Sequence, residues 1–400
     1  MSDTLGTGRD VVIVSGVRTA IGDFGGGLKD VPPSELGALV IRQALGRAGV
    51  PAADVQHVVM GQVIQSEPRD MYLSRTAAIG AGIPPEVPAL TLNRLCGSGV
   101  QAIVSAAQMI LLGECSVAVA GGAESMSRAP YVTTGARWGV KMGDSALVDA
   151  MTAALHDPFG HGHMGVTAEN VAERFGIDRA AQDEFAVESH RRAARAIDAG
   201  YFKEQIVPVE VKTRKGVQVF DTDEHVRRGL AVEDVAKLRP VFKRDGSVTA
   251  ANASGINDGA AAVVLMSGAE AERRGIRPMA RILSWGHAGV APEVMGLGPI
   301  PAVPKALERA GLSVADLDVI ESNEAFAAQA CAVAKELGLP ADRTNPNGGA
   351  VALGHPVGAT GCIITVKALY ELKRTGGRYG LMTMCIGGGQ GIALVVENLG

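Results

Sequence analysis

LNRLCGSGVQA, Leu92 to Ala102, is the stretch whose reading decides the fold. An apolar run, expected to be a buried strand, ends at Cys96. Gly97, Ser98 and Gly99 follow at once, and Val100 to Leu112 then carries helical spacing. A cysteine so placed sits on a tight turn at a helix N-terminus. Free N–H groups and the helix dipole there are expected to favour thiolate over thiol. The two glycines let a ligand approach the backbone closely. These features suit a nucleophile, although a small buried cysteine packed beside glycines would carry the same letters.

Outward from this stretch the texture is strand, helix, strand. VVIVSGVRTAIG and HVVMGQVIQ precede it as apolar strands, and SVAVAGGAESMS follows as another. ELGALVIRQALGRAGV is a helical pattern begun by Ser34 and stopped by Gly49 and Pro51. Strands alternating with helices of this length imply right-handed βαβ units and a mostly parallel sheet. From about Met126 the texture changes. Tyr131 to Gly162 is weakly periodic. A helix is expected near Thr167, with Thr167 as its N-cap and Glu169 in its first turn, and another from about Arg179 to Ala199. VKTRKGVQVFDTDEHVRRGL is a charged stretch, and the mixed charges of this region read mostly as a solvated face. The α/β texture resumes at Ser254.

A repeat emerges when shapes rather than letters are compared. GHPVGATGCIITVKALYELKRTGGRYGLMTMCIGG has the plan of LCGSGVQAIVSAAQMILLGECSVAVAGG, with His355 where the first copy has Cys96. Two α/β halves built on one plan could bring both helix N-termini to a shared interface.

The bulk properties limit the function classes. The chain has 400 residues, 47% hydrophobic but only 4% aromatic, with 52 glycines, which suits Ala/Val/Ile/Leu layers joined by glycine turns. A net charge of −4 leaves no electrostatic footprint for nucleic acid. The five cysteines (96, 115, 331, 362 and 385) are scattered with no C-x-x-C pair. Neither a disulfide framework nor a metal site is expected, and a cytoplasmic location is. The polar opening MSDTLGTGRD lacks a leader pattern, and no uninterrupted apolar run long enough for a membrane span is seen, so no membrane association is expected.

Cys96, His355 and Cys385 each lie beside glycines at an expected turn, where α/β folds place ligands. A cysteine with a histidine partner suits nucleophilic acyl transfer. A second cysteine could move a proton at the carbon next to a thioester. Backbone N–H groups in the Gly387-Gly388-Gly389 turn could hold the developing oxyanion. Taken singly, each residue also has a structural explanation.

Together the blocks LNRLCGSGVQA, ANASGINDGAA, NEAFAAQ, NPNGGAVALGHPVGATG and CIGGGQG resemble the signatures of the thiolases, in family order and across nearly the whole chain. The resemblance implies the thiolase fold, with two repeated βαβ-type halves in a five-layered α-β-α-β-α arrangement and an inserted loop domain. The implied division is 1–125 plus 251–275 for the N-terminal catalytic half, 126–250 for a CoA-covering and oligomerising loop domain, and 276–400 for the C-terminal catalytic half. A homotetramer, a dimer of dimers, is implied as well.

The resemblance also implies roles. Cys96 matches the acylated nucleophile, His355 its activator and Cys385 the acid/base at the α-carbon. Asn323 resembles the residue that orients a water in a first oxyanion hole shared with His355. The N–H groups of Cys96 and Gly387 resemble a second. Ala250 and Ser254 are implied to flank the pantetheine of coenzyme A, and Leu155, His163, Met164, Phe242, Met295 and Phe326 to line its tunnel. Arg227 is implied near the adenine or phosphate end. HMG at His163 to Gly165 resembles the short-chain type, in which the methionine crowds the acyl pocket. The implied reaction is the reversible Claisen condensation of two acetyl-CoA to acetoacetyl-CoA and CoA through an acetyl-Cys96 intermediate, with no cofactor beyond the CoA thioesters and no metal. A degradative 3-ketoacyl-CoA thiolase of broad chain length is the alternative within the class. A non-catalytic thiolase-like protein that binds CoA or lipid is the alternative outside it.

Overall fold

Strand β1, Val11–Thr19, is buried along its whole length, as expected of a β-branched strand covered on both faces. In chain order follow β2 (His57–Gly61), β3 (Ala89–Leu92), β4 (Val117–Ser125), β5 (Asn257–Ser267), β6 (Ala280–Gly289), β7 (Val319–Ser322), β8 (Tyr379–Ile386) and β9 (Gln390–Asn398). This computed structural model describes residues 10–214 and 216–400. The polar opening at 1–9, where no leader is expected, lies outside the described residues.

The strands form one continuous sheet in the order β7-β8-β9-β6-β1-β5-β4-β2-β3. Outward from the β6–β1 seam, each half repeats one plan: first strand, last, fourth, second. Thr344, bridged to Ile320, stands where β3 stands in the other half. The helices Pro33–Ala48 and Leu73–Gly80 cover the outer face of one half. Pro299–Ala310 and Ala327–Leu337 cover the outer face of the other. Between the halves lie Ser98–Leu112 and Val357–Thr375, sharing a single apolar core with strands of both. The result is five layers, α-β-α-β-α. At the crossing of the two inner helices, a methyl on Gly99 would strike the backbone N of Cys362, and one on Gly361 the backbone N of Val100. Glycine permits this close approach.

Two expectations need correction. The sheet is mixed, not mostly parallel. β2 pairs in parallel with β3 and β4, and β7 with β8. However, β1–β5, β1–β6, β4–β5, β6–β9 and β8–β9 are all antiparallel. The tight turn at Gly387–Gly389 forces β8 and β9 to be antiparallel, and the long excursion after β4 returns to β5 from the end where it left. Secondly, the helix expected at Thr167 begins at Met164. His163 is its N-cap, its Nδ1 accepting the Gly165 N–H at 3.0 Å. Thr167 is buried in the first turn, its hydroxyl donating back to Met164 O. Leu95–Leu112 is long and apolar enough to cross a membrane by length and composition, although Gly, Ser and Gln interrupt it. Its apolar residues instead fill the space between the two sheet halves.

The charged stretch is mostly exposed, as expected, but Asp223 within it is buried. Asp223 pairs with Arg18 of β1 at 2.7 Å, both side chains being wholly buried. Arg18 Nε also donates to Gln205, and its guanidinium lies over Phe202. Ile206–Val207 adds a short parallel strand beside β1. The segment between β4 and β5 is thereby tied to the sheet as well as lying over it.

Candidate active site

Cys96 is presented by a strained turn. Leu95, immediately before it, has φ 46, a left-handed conformation costly for a non-glycine residue. Asn93 Oδ1 holds it by accepting the Leu95 N–H at 2.8 Å, and the Ser98 hydroxyl donates to Leu95 O at 2.7 Å. The same turn uses up N–H groups expected to be free. Gly97 N–H donates to Arg94 O and Ser98 N–H to Leu95 O. The sulfur is left with its own N–H and that of Gly387 as backbone donors. Burial pushes the Cys96 thiol up, the two N–H groups pull against it, and the nearby Glu124 carboxylate adds to the rise. The expectation that the helix start favours thiolate is therefore reversed, because desolvation of the charged form outweighs two dipoles.

His355 sits at the equivalent place before the Val357–Thr375 helix. Its backbone N–H donates to Asn257 Oδ1 at 2.8 Å, and Nδ1 lies 2.7 Å from Thr360 Oγ1. Nε2 is buried without a hydrogen-bond partner among the described residues. Burial lowers the imidazole pKa to about 4. Cys385, near the end of β8, is fully buried, and its thiol is pushed up by burial and by Cys96 nearby. The Gly387–Gly389 turn brings the Gly387 N–H back to Cys96, and Gly388 and Gly389 take φ of 80 and 85 to make it.

Cys96, His355 and Gly387 lie on the wall of a cavity of about 430 Å³. Leu155, His163, Met164 and Phe242 line it, as do Ala250, Ser254, Met295 and Phe326. His163 stacks on Phe242 with ring centroids 4.7 Å apart, and burial lowers its pKa to about 4, so the ring serves as neutral wall. Asn323 is placed differently. It is buried just beyond β7, its side-chain N and O have no partner among the described residues, and it faces a second, water-sized void that Thr360 also lines. Arg227 is exposed and is not among the lining residues; its backbone N–H donates to His190 Nδ1. Cys115 and Cys362 are core residues, and Cys331 is partly buried.

Some contributors went unread in the sequence. Asp23 and His225, 202 positions apart, meet at 2.9 Å and line the cavity. Asp23 lies in the glycine-rich stretch GDFGGG, a local signal that could have been read, but His225 has no such marking and nothing local pairs the two. Glu124 accepts N–H groups from Val63, Ile64 and Gly358 at 2.8–3.1 Å, tying the first half to the helix that follows His355. Burial nonetheless raises it to about 8. Its place in AGGAES at the end of a buried strand was the available signal.

An apolar cavity lined by a sulfur that meets two backbone N–H groups, and by an imidazole, can take an acyl group from a thioester and hold the oxyanion formed on the way. Comparison with known proteins agrees. Residues 11–269 match the thiolase N-terminal domain and residues 276–398 the thiolase C-terminal domain. The chain is 68% identical to the beta-ketothiolase BktB of Cupriavidus necator over 98% of its own length and 100% of that protein's. It superposes on the Bacillus anthracis acetyl-CoA acetyltransferase with a TM-score of 0.96 at 48% identity, covering 98% and 99% of the two chains. It superposes on human mitochondrial 3-ketoacyl-CoA thiolase in complex with CoA with a TM-score of 0.95 at 45% identity, covering 98% of each. The chain belongs to the thiolase family.

Proposed function

We propose that the protein is an acetyl-CoA C-acetyltransferase. The observation that carries this reading is that Cys96, His355 and Gly387 line one apolar cavity, with the Gly387 N–H on the Cys96 sulfur. In the first half-reaction His355 Nε2 takes the Cys96 proton, and the thiolate attacks the acetyl-CoA carbonyl. The carbonyl–S(CoA) bond breaks, and the CoA sulfur leaves with the proton from Nε2. In the second, Nε2, bare again, takes the Cys385 proton, and the Cys385 thiolate takes an α-proton from another acetyl-CoA. The resulting carbanion attacks the acetyl carbonyl on Cys96. The new C–C bond forms, the C–S bond to Cys96 breaks, and the Cys96 sulfur recovers the proton held on Nε2. Thiolysis is the reverse. No metal is required, because a thioester already acidifies its α-protons and N–H donors carry the oxyanion charge. Asn323 would orient a water as part of the first oxyanion site.

The tunnel walls suit pantetheine, with Arg227 outside the cavity as the cation for the nucleotide phosphates. Short-chain preference is supported by the crowding around Gly387. A methyl built on Gly387 would come within 3.1 Å of Met164 and 3.2 Å of Leu95. A homotetramer fits the apolar arm between the short strands Tyr131–Val132 and Val148–Asp149, where Trp138 is 85% and Met142 96% exposed. Unpaired thiols at all five cysteines suit a cytoplasmic location.

The test is mass spectrometry after brief incubation with acetyl-CoA. An acetyl group on Cys96 is expected in the wild type and in Cys385→Ala, with condensation lost in the latter. Acetyl transfer lost together with condensation in Cys385→Ala contradicts the division of labour. Thiolysis of longer 3-ketoacyl-CoA as fast as of acetoacetyl-CoA contradicts the short-chain reading.

A further inference from the structure

Among the described residues the imidazole of His355 has no carboxylate partner. Its Nδ1 meets a hydroxyl, that of Thr360, at 2.7 Å. The same hydroxyl oxygen lies 2.9 Å from the carbonyl oxygen of Pro356. Two oxygens this close repel unless a hydrogen lies between them, and a hydroxyl has one hydrogen to give. That hydrogen belongs on the line to Pro356 O, so the remaining contact requires Nδ1 to be the donor. We propose that Thr360 is a positioning residue for the acyl-transfer reaction, fixing the His355 tautomer with the proton on Nδ1 and the lone pair on Nε2, toward Cys96.

The proposal rests on the reading of His355 as the base of Cys96, and it explains how one ring serves twice. With Nε2 bare, the ring can take the thiol proton. Once it has done so, Nε2–H can donate to the oxyanion and then to the departing CoA sulfur. Nδ1–H keeps the same neutral acceptor throughout. The opposite tautomer would bury an Nε2–H with no acceptor among the described residues and could not take a proton at that atom. A neutral acceptor also leaves the ring a weak base: burial alone lowers its pKa, to about 4, so the proton is held briefly and returned. The backbone supports this arrangement from the other side. Asn257 Oδ1 accepts the His355 N–H, and at Gly354, φ 106, a methyl would run into the Asn257 side chain.

Pre-steady-state acetylation of Cys96 by acetyl-CoA tests the assignment in Thr360→Val, Thr360→Ser and His355→Asn. Thr360→Val removes the acceptor at nearly constant volume. Its acetylation rate should fall about 10²-fold, the lower end of what a positioned base contributes, with KM for acetyl-CoA unchanged. Thr360→Ser keeps the hydroxyl and should restore the rate. Should Thr360→Val not fold, Thr360→Ala reads the same quantity. A wild-type rate in the hydroxyl-free variant, or no recovery in Thr360→Ser, overturns the role of Thr360. If His355→Asn is impaired in the same experiment, the reading of His355 as base stands regardless. A wild-type rate in His355→Asn removes that reading and this inference with it.

Discussion

The starts of the Ser98–Leu112 and Val357–Thr375 helices occupy the same place in the two halves, yet they hold their chemical side chains in opposite ways. Before the first, Cys96 is aimed by a strained Leu95 and meets two backbone N–H groups at its sulfur. Before the second, His355 is tied by its backbone to Asn257 and by Nδ1 to Thr360, and its other nitrogen is left bare. Burial acts on both, pushing the thiol up and the imidazole down. The resting pair is therefore neutral, and charge appears only when a substrate is there to be attacked. The repeat supplies a symmetric frame, and a handful of contacts at each helix start makes it chemically asymmetric.

The largest expected effect breaks the thiol side. Cys96→Ala should lower thiolysis of acetoacetyl-CoA at least about 10⁴-fold, since the residual rate comes from binding and oxyanion donors alone. Retained thiolysis would remove the nucleophile from its place in the comparison. On the other side, His355→Asn should slow acetylation of Cys96 about 10²- to 10⁴-fold while leaving acetyl-CoA binding in place. A drop equal to that of Cys96→Ala would mean that the imidazole does more than move a proton.

The electrostatic half of the comparison has its own test. His355 has a folded pKa near 4 against 6.5 for the free side chain. Between those values the unfolded chain takes up the proton first, so falling pH favours unfolding. The difference in unfolding free energy between the wild type and His355→Asn should accordingly shift against the wild type by about 3 kcal/mol from pH 6.5 to pH 4. Urea titrations at several pH values read it, and a pH-independent difference would show that burial does not hold the ring neutral. The smallest effect concerns the frame itself. Gly99→Ala places a methyl against the Cys362 backbone at the helix crossing and should cost about 1–3 kcal/mol by overpacking. An unchanged urea midpoint would mean that the two helices can part without loss.

Much of this was legible in the letters because glycine, cysteine and histidine at turns have few cheap alternatives. Cys96 on its glycine turn, His355 at the matching turn and the Gly387–Gly389 hairpin could be read locally, and the tunnel residues followed from the family resemblance. The relation of Asp23 to His225, the burial of Asp223 under Arg18 and the closure of Glu124 on the Val357–Thr375 helix could not. Each joins residues distant in the chain, and nothing in a short window records the partner. The mixed sheet escaped for a similar reason: alternating strands and helices announce crossovers, but the length and exit point of an insertion decide which way the next strand runs.

By itself, then, the sequence determined the two repeated halves and the placing of Cys96 and His355 at matching helix starts, because hydrophobic period and glycine placement are local properties of the chain. Tertiary structure alone decided the ionisation of the pair and the orientation of the imidazole. Both depend on how much water the folded layers exclude and on which hydroxyl or N–H the fold brings to the ring and to the sulfur, and those are properties of packing rather than of sequence.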